Sequence, residues 1–263
     1  MEGAGEVVDV GPGVTGFARG DRVAYAAHPP GAYAQERVIA ASSVVKLPDA
    51  ISYEQGAAMM LQGMTAQYLL RRTYRVKPGD TILIHAAAGG VGLIVCQWAK
   101  ALGATVIGTV GSDDKAACAK AHGCDYPIVY TRENFTQRVK EITAGAGVPV
   151  VYDSIGKDTY TGSLDCLAPF GLFVSLGNAT GPLPPINAAE LASRGSLYFT
   201  RPTLFTHTAK REDLLEISGE LFDVVQRGQV RIPINQRYAL RDAADAHRDL
   251  EARKTTGSSI LLP

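Results

Sequence analysis

Hydrophobic and polar positions follow two regimes along the chain. From Ser52, with Glu54-Gln55 in the form of a helix start, apolar residues recur at helical spacing through Met59, Leu61 and Met64 to Tyr68 and Leu69. Lys77-Pro-Gly-Asp80 stops that helix. Short continuous apolar runs of β character then come at Thr81 to His85, Thr105 to Val110, Tyr126 to Tyr130, Val148 to Tyr152, Gly171 to Leu176 and Ser196 to Phe199. Helical patterns separate them at Leu93 to Leu102, Asp113 to His122, Phe135 to Thr143 and Tyr160 to Leu167. Strands alternating with helices predict an α/β fold with a Rossmann-type doubly wound parallel sheet, which takes its ligands at the C-terminal ends of the strands.

The flanks read differently. Residues 1 to 60 offer strand-like stretches at Glu6 to Val10, Arg22 to Ala26 and Tyr33 to Ile39, broken by turns such as Gly11-Pro-Gly13. These are too few to close a barrel. After the central region comes an amphipathic helix, Arg211 to Arg227, with Leu214, Ile217, Leu221, Val224 and Val225 on one side and Gly228 as its stop. A strand-like Val230-Arg-Ile232, a helix from Arg241 to Glu251 and a strand from Ser258 to Leu262 finish the chain. The pattern assigns this C-terminal part to the same small, β-rich domain as the N-terminal strands.

Composition narrows the classes. The chain has 263 residues, 46% of them hydrophobic, which suffices for a sizeable core. Its 26 basic and 26 acidic residues cancel, so no overall field draws it to nucleic acid or an anionic membrane. No apolar run approaches the roughly 18 to 20 residues needed to cross a bilayer, and Met1-Glu-Gly-Ala-Gly lacks the form of a secretory signal. A cytoplasmic protein is expected. Cys96, Cys118, Cys124 and Cys166 form no CxxC pair and have no histidine at metal-ligand spacing, so free thiols and no metal site are expected.

The chemistry centres on Thr81-Ile-Leu-Ile-His-Ala-Ala-Ala-Gly-Gly-Val-Gly92. Here a strand meets a glycine-rich turn that opens directly into a helix. Gly89 and Gly90 are read as taking backbone angles closed to other residues and leaving a ligand room, with Gly92 letting the helix lie close on the strand. The first helical N–H groups then favour a phosphate, and a dinucleotide pyrophosphate is the natural guest. The spacing departs from G-x-G-x-x-G, so the weight rests on the strand-helix-strand context, a unit of about 30 residues. At the end of the next strand, Thr109-Val-Gly-Ser112 offers no carboxylate for an adenosine 2′-hydroxyl, while Lys115 follows one turn on. That corner favours NADPH over NADH. The plainer alternative is that Ser112 caps a helix beginning at Asp113 and Lys115 is a solvated surface lysine.

With these features in hand, the chain resembles the zinc-independent quinone oxidoreductases, the zeta-crystallin-like group of the medium-chain dehydrogenase/reductase superfamily. The likeness runs through His85-Ala-Ala-Ala-Gly-Gly-Val-Gly-Leu93, Val151-Tyr-Asp-Ser-Ile-Gly156, Gly195-Ser-Leu-Tyr-Phe-Thr-Arg-Pro202 and Thr256-Gly-Ser-Ser-Ile-Leu-Leu262. It implies an NADP-binding Rossmann domain at 61–203, between a partial GroES-like catalytic domain at 1–60 and a segment at 204–263 that returns to it. It further implies that Ala88, Gly89, Gly90 and Val91 hold the pyrophosphate, and that Gly111, Ser112, Lys115 and Tyr130 surround the adenosine ribose and its phosphate. Thr65 would face the nicotinamide end. Ser154 and Gly156, Leu176, Gly177 and Asn178, and Phe199, Thr200 and Arg201 would complete the cleft, with Arg253 reaching in from the C-terminal part. Read without the resemblance, Arg201 and Arg253 are equally ordinary surface arginines, and Asn178 is turn chemistry.

Family members begin about 60 residues earlier, whereas this sequence opens at what resembles their Glu-x-x-Gly element, Glu2-Gly-Ala-Gly5. Met1 stands where zinc-dependent relatives have a histidine ligand, and the cysteine cluster of their structural zinc lobe is absent. The expected activity is transfer of a hydride, or its one-electron equivalent, from NADPH to a quinone or conjugated carbonyl in a homodimer. No residue is singled out as catalytic: Tyr25, Tyr33 and His28 fit core or rim positions better than proton donors. Two other readings stay open. One is an enone or alkenal double-bond reductase; the other is a shortened, non-catalytic NADPH-binding relative, with RNA binding as a variant.

Overall fold

The computed structural model describes residues 1–263. By its internal contacts the chain divides into two compact units, Met1–Tyr68 with Leu204–Pro263, and Leu69–Thr203.

The first unit opens with an antiparallel sheet of β1 (Glu2–Glu6), β2 (Arg22–Ala26) and β3 (Val44–Lys46), in that order. β1 therefore lies on the Glu2-Gly-Ala-Gly5 element, not at Glu6 to Val10. Residues 33–39 form no strand. There Val38 is fully exposed and Arg37 turns back to donate to Pro29 O, so the alternating pattern has no neighbouring strand to bury its apolar side. Helix α1 (Tyr53–Tyr68) starts with the reciprocal cap that its sequence announces: Gln55 N–H donates to Ser52 Oγ at 3.1 Å and Ser52 N–H to Gln55 Oε1 at 3.0 Å.

The second unit begins with a single widened π-type turn, Leu69–Thr73, and is built on one six-stranded sheet. Its elements alternate as β4 (Thr81–Ile84), α2 (Gly90–Ala101), β5 (Thr105–Val110), α3 (Asp113–Ala121), β6 (Tyr126–Val129), α4 (Phe135–Ile142), β7 (Val148–Asp153), α5 (Tyr160–Cys166), β8 (Leu167–Ser175), α6 (Ala188–Ser193) and β9 (Tyr198–Thr200). The strand order is β6-β5-β4-β7-β8-β9, and all five pairings are parallel. The order reverses at β4, which pairs with β5 on one side and β7 on the other. That reversal is the switch point at which open α/β sheets form their crevice. The strands are apolar without alternation because both sheet faces are covered, and Ile82, Leu83, Val106, Ile107, Val150 and Val151 are all fully buried.

The chain returns to the first unit with α7 (Leu204–His207), α8 (Arg211–Gln226), β10 (Ile234–Ala239), α9 (Ala243–Glu251) and β11 (Ser258–Leu262). Strands β10 and β11 pair in parallel. The strand expected at Val230 to Ile232 lies a few residues later, at β10, since Val230 and Ile232 are buried as the chain leaves α8. α8 buries Leu214, Ile217, Leu221 and Val224, the stripe legible in the sequence. Gly63 of α1 lies under Leu221, where a Cβ would come within 2.6 Å of it.

Candidate cofactor-binding site

The turn between β4 and α2 is fastened to both neighbouring strands. His85 N–H donates to Tyr152 O at 3.0 Å on the β7 side, and Ala87 N–H to Thr109 O at 3.0 Å on the β5 side. Gly89 N–H closes the turn onto Ala86 O at 2.9 Å. The left-handed residue here is Ala86, with φ 53, and not a glycine. Gly89 has φ −80 and ψ 174 and Gly90 already belongs to the helix, so the expected special backbone angles at these two glycines are absent. Their contribution is the missing side chain. Gly89 stands at the N-cap of α2 with no side chain to cap it, which leaves the leading N–H groups of the helix without an internal acceptor. Gly92 permits the close approach: a Cβ there would lie 2.3 Å from Ala86 O and 2.7 Å from Ala87 O. An uncapped helix start over a bare turn at the sheet's switch point fits an anionic pyrophosphate.

The corner after β5 is equally specific. Ser112 caps α3, accepting from Lys115 N–H at 3.4 Å, so its capping role is real. The Tyr130 hydroxyl lies over Gly111, where an added Cβ would be 3.0 Å from it. Thr131 Oγ1 donates to Gly111 O at 3.4 Å, tying the end of β6 to the end of β5.

On the other side of the switch point, the loops after β7 and β8 lie backbone against backbone. Ala179 N–H donates to Ser154 O at 3.2 Å and Thr180 N–H to Ile155 O at 2.9 Å. A Cβ on Gly177 would be 2.5 Å from Ser154 O, and one on Gly156, whose φ is +96, would be 2.6 Å from Gly181 O. Arg201, at the end of β9, clasps the second loop through one nitrogen: its Nη1 donates to Ser175 Oγ at 2.7 Å, to Asn178 Oδ1 at 3.0 Å and to Gly177 O at 3.3 Å. Asn178 and Arg201 are thus engaged with each other.

Beneath these loops runs a buried polar chain that the sequence reading did not single out. Asp153, at the end of β7, accepts from Ile155 N–H at 2.8 Å and Gly156 N–H at 3.0 Å through Oδ1, and from Thr159 Oγ1 at 2.7 Å and Ser163 Oγ at 3.0 Å through Oδ2. Because the Ser163 proton goes to Asp153, Ser163 accepts from His85 Nε2–H at 2.9 Å. His85 Nδ1 therefore accepts from the Thr109 hydroxyl at 2.8 Å. Burial pushes the His85 imidazole below its ordinary pKa against the attraction of Asp153, consistent with this neutral tautomer. The carboxylate ending an otherwise apolar β7 was the available signal.

The parallel sheet thus brings Ala88, Gly89, Gly90, Val91, Gly111, Ser112, Lys115, Tyr130, Ser154, Gly156, Leu176, Gly177, Asn178, Phe199, Thr200 and Arg201 to its C-terminal edge. Thr65 and Arg253 belong to the first unit: Thr65 is buried in α1, and Arg253 follows α9 with φ 57. In that unit Tyr33 Oη lies 3.1 Å from His247 Nε2, and the His28 ring packs on Phe205 at 4.1 Å. The four cysteines are unpaired. No group of three or more His, Cys, Asp or Glu side chains is placed to hold a metal ion.

Residues 1–49 match the alcohol dehydrogenase GroES-like domain and residues 90–217 the zinc-binding dehydrogenase domain. The chain is 57% identical to a quinone oxidoreductase of Pseudomonas aeruginosa over 262 residues, covering 100% of this chain and 81% of that protein. It is 49% identical to a 2-haloacrylate reductase of a Burkholderia species, covering 80% of that protein and 100% of this chain. The crystal structure of Escherichia coli quinone oxidoreductase complexed with NADPH superimposes with a TM-score of 0.97 at 50% identity, over 100% of this chain and 81% of the other. The chain belongs to the quinone oxidoreductase family of the medium-chain dehydrogenases and reductases.

Proposed function

We propose that this chain is an NADPH-dependent oxidoreductase that reduces quinones. The uncapped turn between β4 and α2, with only alanine methyls and a buried histidine before the bare Gly89, carries the reading, because it offers unused N–H groups and backbone access where a dinucleotide needs both. Support comes from relatives named for quinone reduction and from a neighbour crystallised with NADPH. In this proposal the N–H groups of Gly90 and Val91 take the pyrophosphate, with Ala88 and Gly89 bare of obstruction. Gly111, Ser112, Lys115 and Tyr130 surround the phosphorylated ribose. The loops at Ser154–Gly156 and Leu176–Asn178, with Phe199–Arg201, hold the remainder of the cofactor. NADPH, when bound, supplies the hydride. The chain's share is to fix position, since a quinone polarises its own ring and takes protons from solvent. No acid-base side chain is assigned.

Reduction of a conjugated carbon–carbon double bond is the second reading, favoured by the relative named 2-haloacrylate reductase. Steady-state rates with 1,4-benzoquinone and with an enone, both with NADPH, separate the two. A higher kcat/KM for the quinone is expected, and a higher value for the enone reverses the order. A homodimer in the cytoplasm completes the proposal. β9 is an edge strand with Tyr198 exposed, and no helix is long and apolar enough to cross a membrane.

A further inference from the structure

The corner after β5 contains an apparent obstacle to the proposed cofactor. Asp113 opens α3 immediately after Ser112, and its side chain is 70% exposed. A bare carboxylate there would repel a ribose 2′-phosphate and favour the plain hydroxyl of NADH. Both of its oxygens are engaged, however. Arg132 Nη1 donates to Oδ2 and Nη2 to Oδ1, each at 2.6 Å, a two-pronged guanidinium–carboxylate pair. Those hydrogen bonds hold the Asp113 carboxyl below its ordinary pKa. Arg132 follows Tyr130 and Thr131, which also reach back to this corner at Gly111. Three successive residues after β6 thus close on the end of β5. With Arg132 the charges of Asp113, Asp114, Lys115 and Arg132 balance; without it the corner carries net negative charge.

We infer that Arg132 is a specificity-determining residue: by covering the Asp113 carboxylate it admits a 2′-phosphate and sets a preference for NADPH over NADH. The inference rests on the cofactor reading proposed above. An exposed ion pair contributes little to stability, so holding the fold does not account for this geometry. A unit charge within a Debye length of a phosphate dianion changes its binding by several-fold, and salt reduces that change.

Fluorescence titration with NADPH and NADH tests this on the wild-type chain, R132A, D113N and D113N/R132A. R132A should lower the NADPH preference roughly three- to tenfold, mainly by weakening NADPH, and less at high salt. D113N should raise the preference, since it leaves Arg132 uncovered, and the double variant should return near the wild-type ratio. R132K, which keeps the charge, should retain most of the preference. A merely structural pair would move R132A and D113N in the same direction and affect both cofactors alike, which would overturn the inference. A wild-type preference for NADPH that R132A leaves unchanged refutes the role of Arg132 alone, whereas a wild-type chain with no such preference refutes the cofactor reading beneath it.

Discussion

Replacing Gly92 by alanine tests the packing of the turn most sharply. The added methyl would sit 2.3 Å from Ala86 O, 2.7 Å from Ala87 O and 2.8 Å from Ala87 C. Ordinary contacts lie at roughly 3.5 Å or more, so α2 must back off by about 1 Å. The turn itself cannot yield cheaply, because Ala86 O accepts from Gly89 N–H and Ala87 N–H is bonded to Thr109 O. Overpacking of this kind costs about 1–3 kcal/mol, and contact with fixed backbone argues for the upper end. Alanine's better helix propensity returns about 1 kcal/mol. The net loss of about 2 kcal/mol lowers Tm by about 4–8 °C for a chain of this size. Gly219, in the middle of α8, is the control: a Cβ there meets nothing within 4 Å. Gly219→Ala should raise Tm by about 2–4 °C from propensity alone. Differential scanning calorimetry of both variants decides the matter. A Gly92→Ala chain that melts at or above the wild-type temperature refutes the reasoning.

The buried histidine, the arginine clasp and the ribose corner give three further expectations. His85 has a lowered pKa in the folded state, so the unfolded chain takes up a proton that the folded one refuses, and stability is lost as pH falls below about 6.5; His85→Gln should flatten the fall in Tm between pH 7.5 and 5.5, and an equally steep fall would remove His85 as its source. Arg201→Met deletes three hydrogen bonds to Ser175, Gly177 and Asn178 and should raise the Kd for NADPH several-fold while lowering stability by less than about 2 kcal/mol; calorimetric titration giving an unchanged Kd would leave the clasp without a role in binding. Lys115→Ala should weaken NADPH far more than NADH in parallel titrations, and equal losses for both would exclude this residue from phosphate recognition.

The central sheet was legible because strands buried on both faces must be continuously apolar, and α2 to α5 announce themselves between them. The reciprocal cap at Ser52 and Gln55 and the Ser112 cap were legible for a related reason, since capping is local chemistry. What failed depends on neighbours that no local pattern names. The stretch 33–39 alternates like a strand yet pairs with nothing. β3 is too short to register, and Val230 with Ile232 is apolar because it leaves a buried helix. The close approach at Gly92 was legible in the glycine turn, whereas the left-handed position expected at Gly89 and Gly90 falls on Ala86. The Arg132–Asp113 pair escaped because its partners lie 19 residues apart, and the buried chain through Asp153 because Ser163 joins it to His85, 78 residues back.

Gly89 gives the most direct measurement. With φ −80 it has an ordinary backbone, and a Cβ 3.2 Å from Ala86 O is a tight contact that a shift of a few tenths of an ångström relieves, while the side chain beyond it would stand at the uncapped start of α2. NADPH titration of Gly89→Val beside the wild-type chain, with Tm recorded for both, should show a Tm within a few degrees and an affinity lowered by two orders of magnitude or so. Undiminished NADPH affinity in a well-folded Gly89→Val chain would contradict the claim that this turn holds the cofactor's phosphates.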